Sequence, residues 1–135
     1  MSGKNKTILL ILFGNLDYDG RAKRMVEVAT ALGHVVIVDA STIEAKSPAS
    51  PTYSRRHHFI NERRSKYMRH FHFWIYAFRV ARSVRPDCIV SLNFFTVFLA
   101  FLLSKVTGAT FVYDAYELII RESDRRMSVG QRVWY

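Results

Sequence analysis

An apolar run from Thr7 to Phe13 stops at Gly14 and a polar loop, and this run with the helix and strand pattern after it limits the fold more than any other feature of the chain. A strand without a water-facing side must lie inside a sheet covered on both faces. After the loop Asn15-Leu16-Asp17-Tyr18-Asp19-Gly20, the residues Met25, Val28, Ala29 and Leu32 recur at helical spacing. Gly33 reads as the C-cap, and a second apolar run, Val35 to Val38, ends at Asp39. This is a β-α-β unit, with parallel strands and a right-handed crossover.

The alternation continues. Ala40 to Thr52 has loop composition, with Pro48 and Pro51. Tyr67, Phe71, Trp74, Phe78 and Ala81 trace a helix to Val84, which Arg85-Pro86 ends. Asp87 to Leu92 reads as a strand, Phe95 to Val106 as a helix capped by Gly108, Thr110 to Tyr113 as a strand, and Met127 to Tyr135 as the start of a helix. The expected fold is one Rossmann-like α/β domain over residues 1–135, three layers α/β/α with a mainly parallel sheet.

Several classes are excluded. Ile8 to Phe13 is too short for a signal-peptide core. Cys88 to Ser104 is uncharged, but Asn93 and Thr96 split it into a strand and a buried helix rather than a membrane span. The lone Cys88 cannot form an internal disulfide and fits a reducing, cytoplasmic setting. After Gly14 the next glycine is Gly20, so the dinucleotide fingerprint of an oxidoreductase is missing. Ser91 and Ser104 lie in no nucleophile elbow. His57-His58 and His70-x-His72 lack Cys or carboxylate companions at metal spacing, so no metal is expected.

Charge is concentrated. Between Tyr53 and Arg85 there are nine Lys or Arg against one acid, Glu62, in a chain whose net charge is +9. Arg55, Arg56, Arg63, Arg64, Lys66 and Arg69, with Trp74 and other aromatics among them, admit three readings. They form an anionic-membrane contact, a nucleic-acid surface, or a helix with a core-packed stripe and solvated cations. No nucleic-acid motif supports the second. The first places the protein peripherally on the inner face of the membrane.

The stretch Thr110 to Glu122 puts Asp114 and Glu117 just past a strand's carboxyl end, where ligands of open α/β sheets bind. Asp114 equally suits a helix N-cap.

Taken in order, Asp19-Gly20-Arg21 before a helix ending Ala31-Leu32-Gly33-His34-Val35-Val36, then Arg85-Pro86-Asp87-Cys88-Ile89-Val90, then Tyr113-Asp114-Ala115-Tyr116-Glu117-Leu118 give a specific match. The chain resembles the N-terminal domain of retaining GT-B glycosyltransferases of family 4. The resemblance implies an enzyme that moves a sugar from a UDP- or GDP-linked donor to a glycan or lipid-linked acceptor. It implies no metal, and no cofactor held by this domain alone. Gly14, Asn15 and Arg21 then match the first glycine turn and the opening of the first helix, and Asp114 and Glu117 the acidic pair of the cleft. Tyr116 and Asn93 stand where the family usually has histidine, or histidine or aspartate, which departs from a titrating role. The residues that act chemically are not assigned.

In that family a second domain carries the nucleotide-sugar pocket, and this length leaves no room for it. The expectation is an acceptor-side half, inactive alone, needing a C-terminal domain or a partner subunit. A half of this kind exposes the face its second domain would cover, with Phe94, Phe95 and Trp134 on it, and self-association is the expected consequence. The alternative is a non-catalytic, membrane-associated module that recruits a catalytic subunit.

Overall fold

The computed structural model describes residues 5–46 and 49–114. Five strands run parallel: β1 (Thr7–Leu12), β2 (His34–Ser41), β4 (Tyr53–Phe59), β5 (Cys88–Ser91) and β6 (Thr110–Tyr113). The two-residue β3 (Ala49–Ser50) pairs antiparallel with β4. The order is β3-β4-β2-β1-β5-β6, with β1 in the centre. From β1 the chain runs outward to β2 and β4 on one side and later to β5 and β6 on the other. The strand order therefore reverses between β1 and β5.

The helices are α1 (Gly20–Thr30), α2 (Lys66–Val84) and α3 (Val97–Thr107). Strand side chains alternate in direction, so β1 divides its apolar run between two cores. Ile8, Leu10 and Leu12 join Val35 and Ile37 against α1, while Leu9 and Ile11 join Val36 and Val38 against α2 and α3. Leu9, Leu10 and Ile11 are fully buried, each worth about 1.5–3 kcal/mol of apolar transfer. The structure is the three-layer α/β/α, Rossmann-like fold expected from the alternation.

Helix ends follow their caps. The Asp19 carboxylate accepts from the Ala22 N–H at 2.9 Å to start α1, and Ser65 does the same for Met68 in α2 at 3.4 Å. Gly108, at φ 73°, ends α3 as a left-handed cap. Arg85 also ends α2 in the left-handed region, at φ 50°, rather than in the extended conformation usual before proline.

The structure corrects several expectations. In α1 the buried stripe is Ala22, Val26 and Ala29, whereas Val28 and Leu32 face water at 60 % and 71 % exposure. Gly33 is not the left-handed cap of α1; a Cβ there would lie 2.2 Å from the Lys6 carbonyl oxygen, which accepts from the His34 N–H at 2.8 Å. Its hydrogen side chain is required by that close approach. Ala40 and Ser41 complete β2, and β3 interrupts the loop expected after it. Tyr53–Phe59, read as part of a basic surface segment, is the strand β4, and its Arg55 is buried.

In α2 the core face is Phe73, Ala77 and Ala81, while Tyr67, Phe71 and Phe78 point outward. In both helices alanines, with Val26 in α1 and Phe73 in α2, lie against the sheet, and the alanines let the helix axis approach it closely.

Candidate functional site

A crevice of about 490 Å³ lies at the carboxyl ends of β1, β2 and β4, with Phe95 from the turn after β5 at its edge. Phe13 and Gly14 leave β1 there, Ser41 and Thr42 close β2, and Ile60 comes after β4. The first turn of α2 adds Lys66, Arg69 and His70, and Phe95 leans in from the turn before α3. This is where open α/β sheets bind ligands.

Beside the crevice, the ends of β1 and β5 are tied by hydrogen bonds. The Asn93 amide donates to the Phe13 carbonyl at 3.0 Å, and the Thr96 hydroxyl lies 2.7 Å from that of Ser91 and donates to the Ile11 carbonyl at 3.2 Å. Asn93 is buried and clamps the ends of β1 and β5 together. Arg21 reaches from the first turn of α1 to the Leu92 carbonyl and to the Asp114 carboxylate, 3.6 Å away. Arg21 and Asp114, far apart in sequence, thus meet across the ends of β5 and β6.

The loop after Gly14 is held from behind by a buried charge network that the sequence did not disclose. Asp39, fully buried in β2, accepts from Arg55 at 2.6 and 3.2 Å and from the Leu16 N–H at 3.0 Å, with His57 Nδ1 3.0 Å away. The Arg55 guanidinium also reaches Asp17 at 3.0 Å and the Asn15 side-chain oxygen at 3.1 Å. Burial alone would lower the Arg55 pKa, but Asp39 and then Asp17 hold it above its ordinary value. Burial likewise favours a protonated Asp17, yet the Lys46 N–H and Arg55 outweigh it and hold that carboxyl low.

Backbone N–H groups at a helix start can bind an anion, but here several of them are used internally. The Leu16 N–H goes to Asp39, the Asp17 N–H to Asn15 and the Ala22 N–H to Asp19. Asn15 also donates to the Ser41 hydroxyl at 3.1 Å. Gly14 has ordinary space around it and fixes the crevice wall through its carbonyl, which accepts from the Ala40 N–H at 3.1 Å.

His70 is the residue that sequence reasoning left in the basic segment. Its ring stacks on Phe13 with centroids 4.3 Å apart, at the crevice wall. Burial first, then the Lys66 ammonium, lower its pKa, so the imidazole is neutral at neutral pH and has one nitrogen able to accept. A smaller depression of about 130 Å³ adjoins the crevice, shares Ile60 and Arg69 with it, and is lined by His58, Arg64 and His72.

Of the surface cations, Arg56, Arg63, Arg64 and Lys66 are exposed, Arg69 is half-buried, and Arg55 leaves the set because Asp39 and Asp17 enclose it. Trp74 is half-buried against Phe98, 5.8 Å between ring centroids. Tyr116, Glu117 and Trp134 lie outside the described residues. Cys88 is half-buried and burial raises its thiol pKa, so it is a weak nucleophile. Among the described residues no three metal-ligating side chains converge.

No protein-family model and no curated protein sequence matches this chain. Solved structures do. The apo form of a lipopolysaccharide outer core galactosyltransferase, WaaB, superposes with a TM-score of 0.61 over 79 % of this chain and 32 % of its own length, at 11 % identity. The C-terminal domain of a hydrogenase from Pyrococcus furiosus superposes at TM-score 0.51, covering 83 % of this chain and 92 % of that one, at 15 % identity. The fold is thus glycosyltransferase-like, and the chain spans about a third of the galactosyltransferase it matches.

Proposed function

We propose that this chain is the acceptor-side half of a GT-B glycosyltransferase, retaining and of family 4. The observation that carries the reading is the crevice at the carboxyl ends of β1, β2 and β4, on a fold shared with a galactosyltransferase. The donor in this reading is a UDP- or GDP-sugar bound by a second domain or a partner subunit facing the crevice. The acceptor is a glycan or a lipid-linked sugar that lies between Phe13, His70 and Phe95.

Among the described residues the crevice lining contains Lys66 and Arg69 and no Asp or Glu, which suits an acceptor bearing phosphate or carboxylate. His70, neutral and apolar-backed, offers a sugar hydroxyl an acceptor nitrogen. The Arg21–Asp114 pair lies at the ends of β5 and β6, outside the crevice lining, and in this reading would contact the opposite domain.

Isothermal titration against UDP- and GDP-sugars tests the division of labour. The reading expects binding by the two-domain or two-subunit assembly and none by this 135-residue chain alone. Tight binding of a nucleotide sugar by this chain alone would refute the acceptor-side assignment.

A further inference from the structure

The outer face of α2 and α3 carries what the crevice does not use. Tyr67 and Phe71 of α2 are 84 % and 57 % exposed, and Phe98 and Val106 of α3 are 60 % exposed each. Ile75, Phe78 and Leu102 lie between them, also open to water. The two helices leave a groove of about 560 Å³, floored by Leu99 and Leu103 and bordered by Arg79 and Arg82. Isolated apolar side chains on a surface are ordinary, but a contiguous face of this kind marks a contact site.

The charge around this face has one sign. From Arg63 to Pro86 there are seven Lys or Arg and no Asp or Glu, and from Cys88 to Tyr113 there is again no acid. Arg82 sits over the Phe78 ring at 5.9 Å, and Lys105 over Phe101 at 5.3 Å. Each cation thus lies beside the apolar surface, free to extend toward a headgroup while the aromatic enters the acyl boundary. A second copy of this face would bring the same cations and no acidic partner for them. No described helix is long and apolar enough to cross a membrane.

We infer that the α2–α3 face docks the protein on an anionic lipid bilayer, with both helices along the surface. Helix α2 starts at the crevice, which Lys66 and Arg69 line, and carries the apolar face onward from Tyr67 and Phe71. A docked bilayer therefore lies beside the crevice mouth. That this would present a lipid-linked acceptor rests on the proposed function; the docking itself does not.

Co-sedimentation with vesicles of equimolar phosphatidylcholine and phosphatidylglycerol, against phosphatidylcholine alone, tests it. The protein is expected to pellet with the anionic vesicles and to be released by salt. Arg79→Gln/Arg82→Gln should weaken partitioning about twenty- to thirtyfold, from a factor of about five per cation. Phe71→Ser/Ile75→Ser should weaken it at least about tenfold. All four side chains are exposed, and unchanged melting temperatures confirm that the fold persists. Equal binding to both vesicle types, or full binding by both double variants, overturns the inference. So does a dimer in vesicle-free buffer that Phe71→Ser/Ile75→Ser converts to monomer while wild-type protein ignores the vesicles.

Discussion

Replacing Arg55 with methionine should cost this fold more than any change to its exposed cations. The Arg55 side chain is 1 % exposed and that of Asp39 is 0 % exposed, and they are joined by two hydrogen bonds. Methionine fills much of the arginine stem's volume but leaves the Asp39 carboxylate in the sheet with only His57 and the Leu16 N–H. Breaking one side of a buried pair costs about 3–5 kcal/mol, a large share of the roughly 5–15 kcal/mol that holds a domain together. At about 4 °C per kcal/mol for a chain of this size, melting should fall by about 12–20 °C.

Thermal and urea unfolding followed by circular dichroism would read the loss. Arg56→Met, one residue on and solvent-facing, is the control and should stay within about 0.5 kcal/mol. The double variant Asp39→Leu/Arg55→Met should recover at least about 2 kcal/mol of the single loss, since an apolar replacement of a buried pair is often nearly neutral. A loss below about 1 kcal/mol for Arg55→Met, the range of a surface ion pair, would refute the argument.

Gly33→Ala should destabilise by about 1–3 kcal/mol, because its Cβ would overlap the Lys6 carbonyl and backbone must move; wild-type melting would contradict the close approach. Stability should fall as pH drops from about 7.5 to about 5.5. Burial holds His58 and His70 below their ordinary values, as do neighbouring cations and histidines to a lesser degree. The unfolded chain therefore binds protons near its ordinary pKa of about 6.5 before the folded chain does, and protonation favours unfolding. His58→Phe/His70→Phe should flatten that slope; an unchanged slope would place the titration elsewhere. Asp17→Asn should cost stability at neutral pH and progressively less below about pH 4, because the depressed carboxylate contributes only while ionised. An equal cost at both pH values would mean that charge is not its contribution.

Elements whose neighbours in sequence determine them were legible. β6 is bounded as read, since β-branched and aromatic residues come after a glycine turn, and Gly108 caps α3 because a left-handed residue was needed there. β4 was not legible. Tyr53-Ser54-Arg55-Arg56-His57-His58-Phe59 looks like solvated surface until Asp39 in another strand is placed beside it. Local pattern cannot show a charge whose partner arrives through the sheet. Helix faces misled for a related reason. The larger stripes, Val28 with Leu32 and Tyr67 with Phe71, drew the reading, while alanines and single larger side chains make the close contact with the sheet.

Of the expected residues Gly14 lines the crevice, while Asn93, Asp114 and Arg21 lie at the ends of β5 and β6 with their side chains engaged with one another or with backbone. The crevice-facing cations and His70 come from the start of α2, which sequence assigned to a separate surface.

Amide-shift mapping of the isotopically labelled protein, titrated with phosphorylated or uronic-acid oligosaccharides and their neutral counterparts, tests the central claim most directly. The account predicts shifts clustered at Gly14, Ser41, Thr42, Arg69 and His70, stronger for the anionic sugars and lost in Arg69→Gln. Shifts confined to other surfaces, or no shift with any sugar of the panel, would contradict the crevice as the acceptor site.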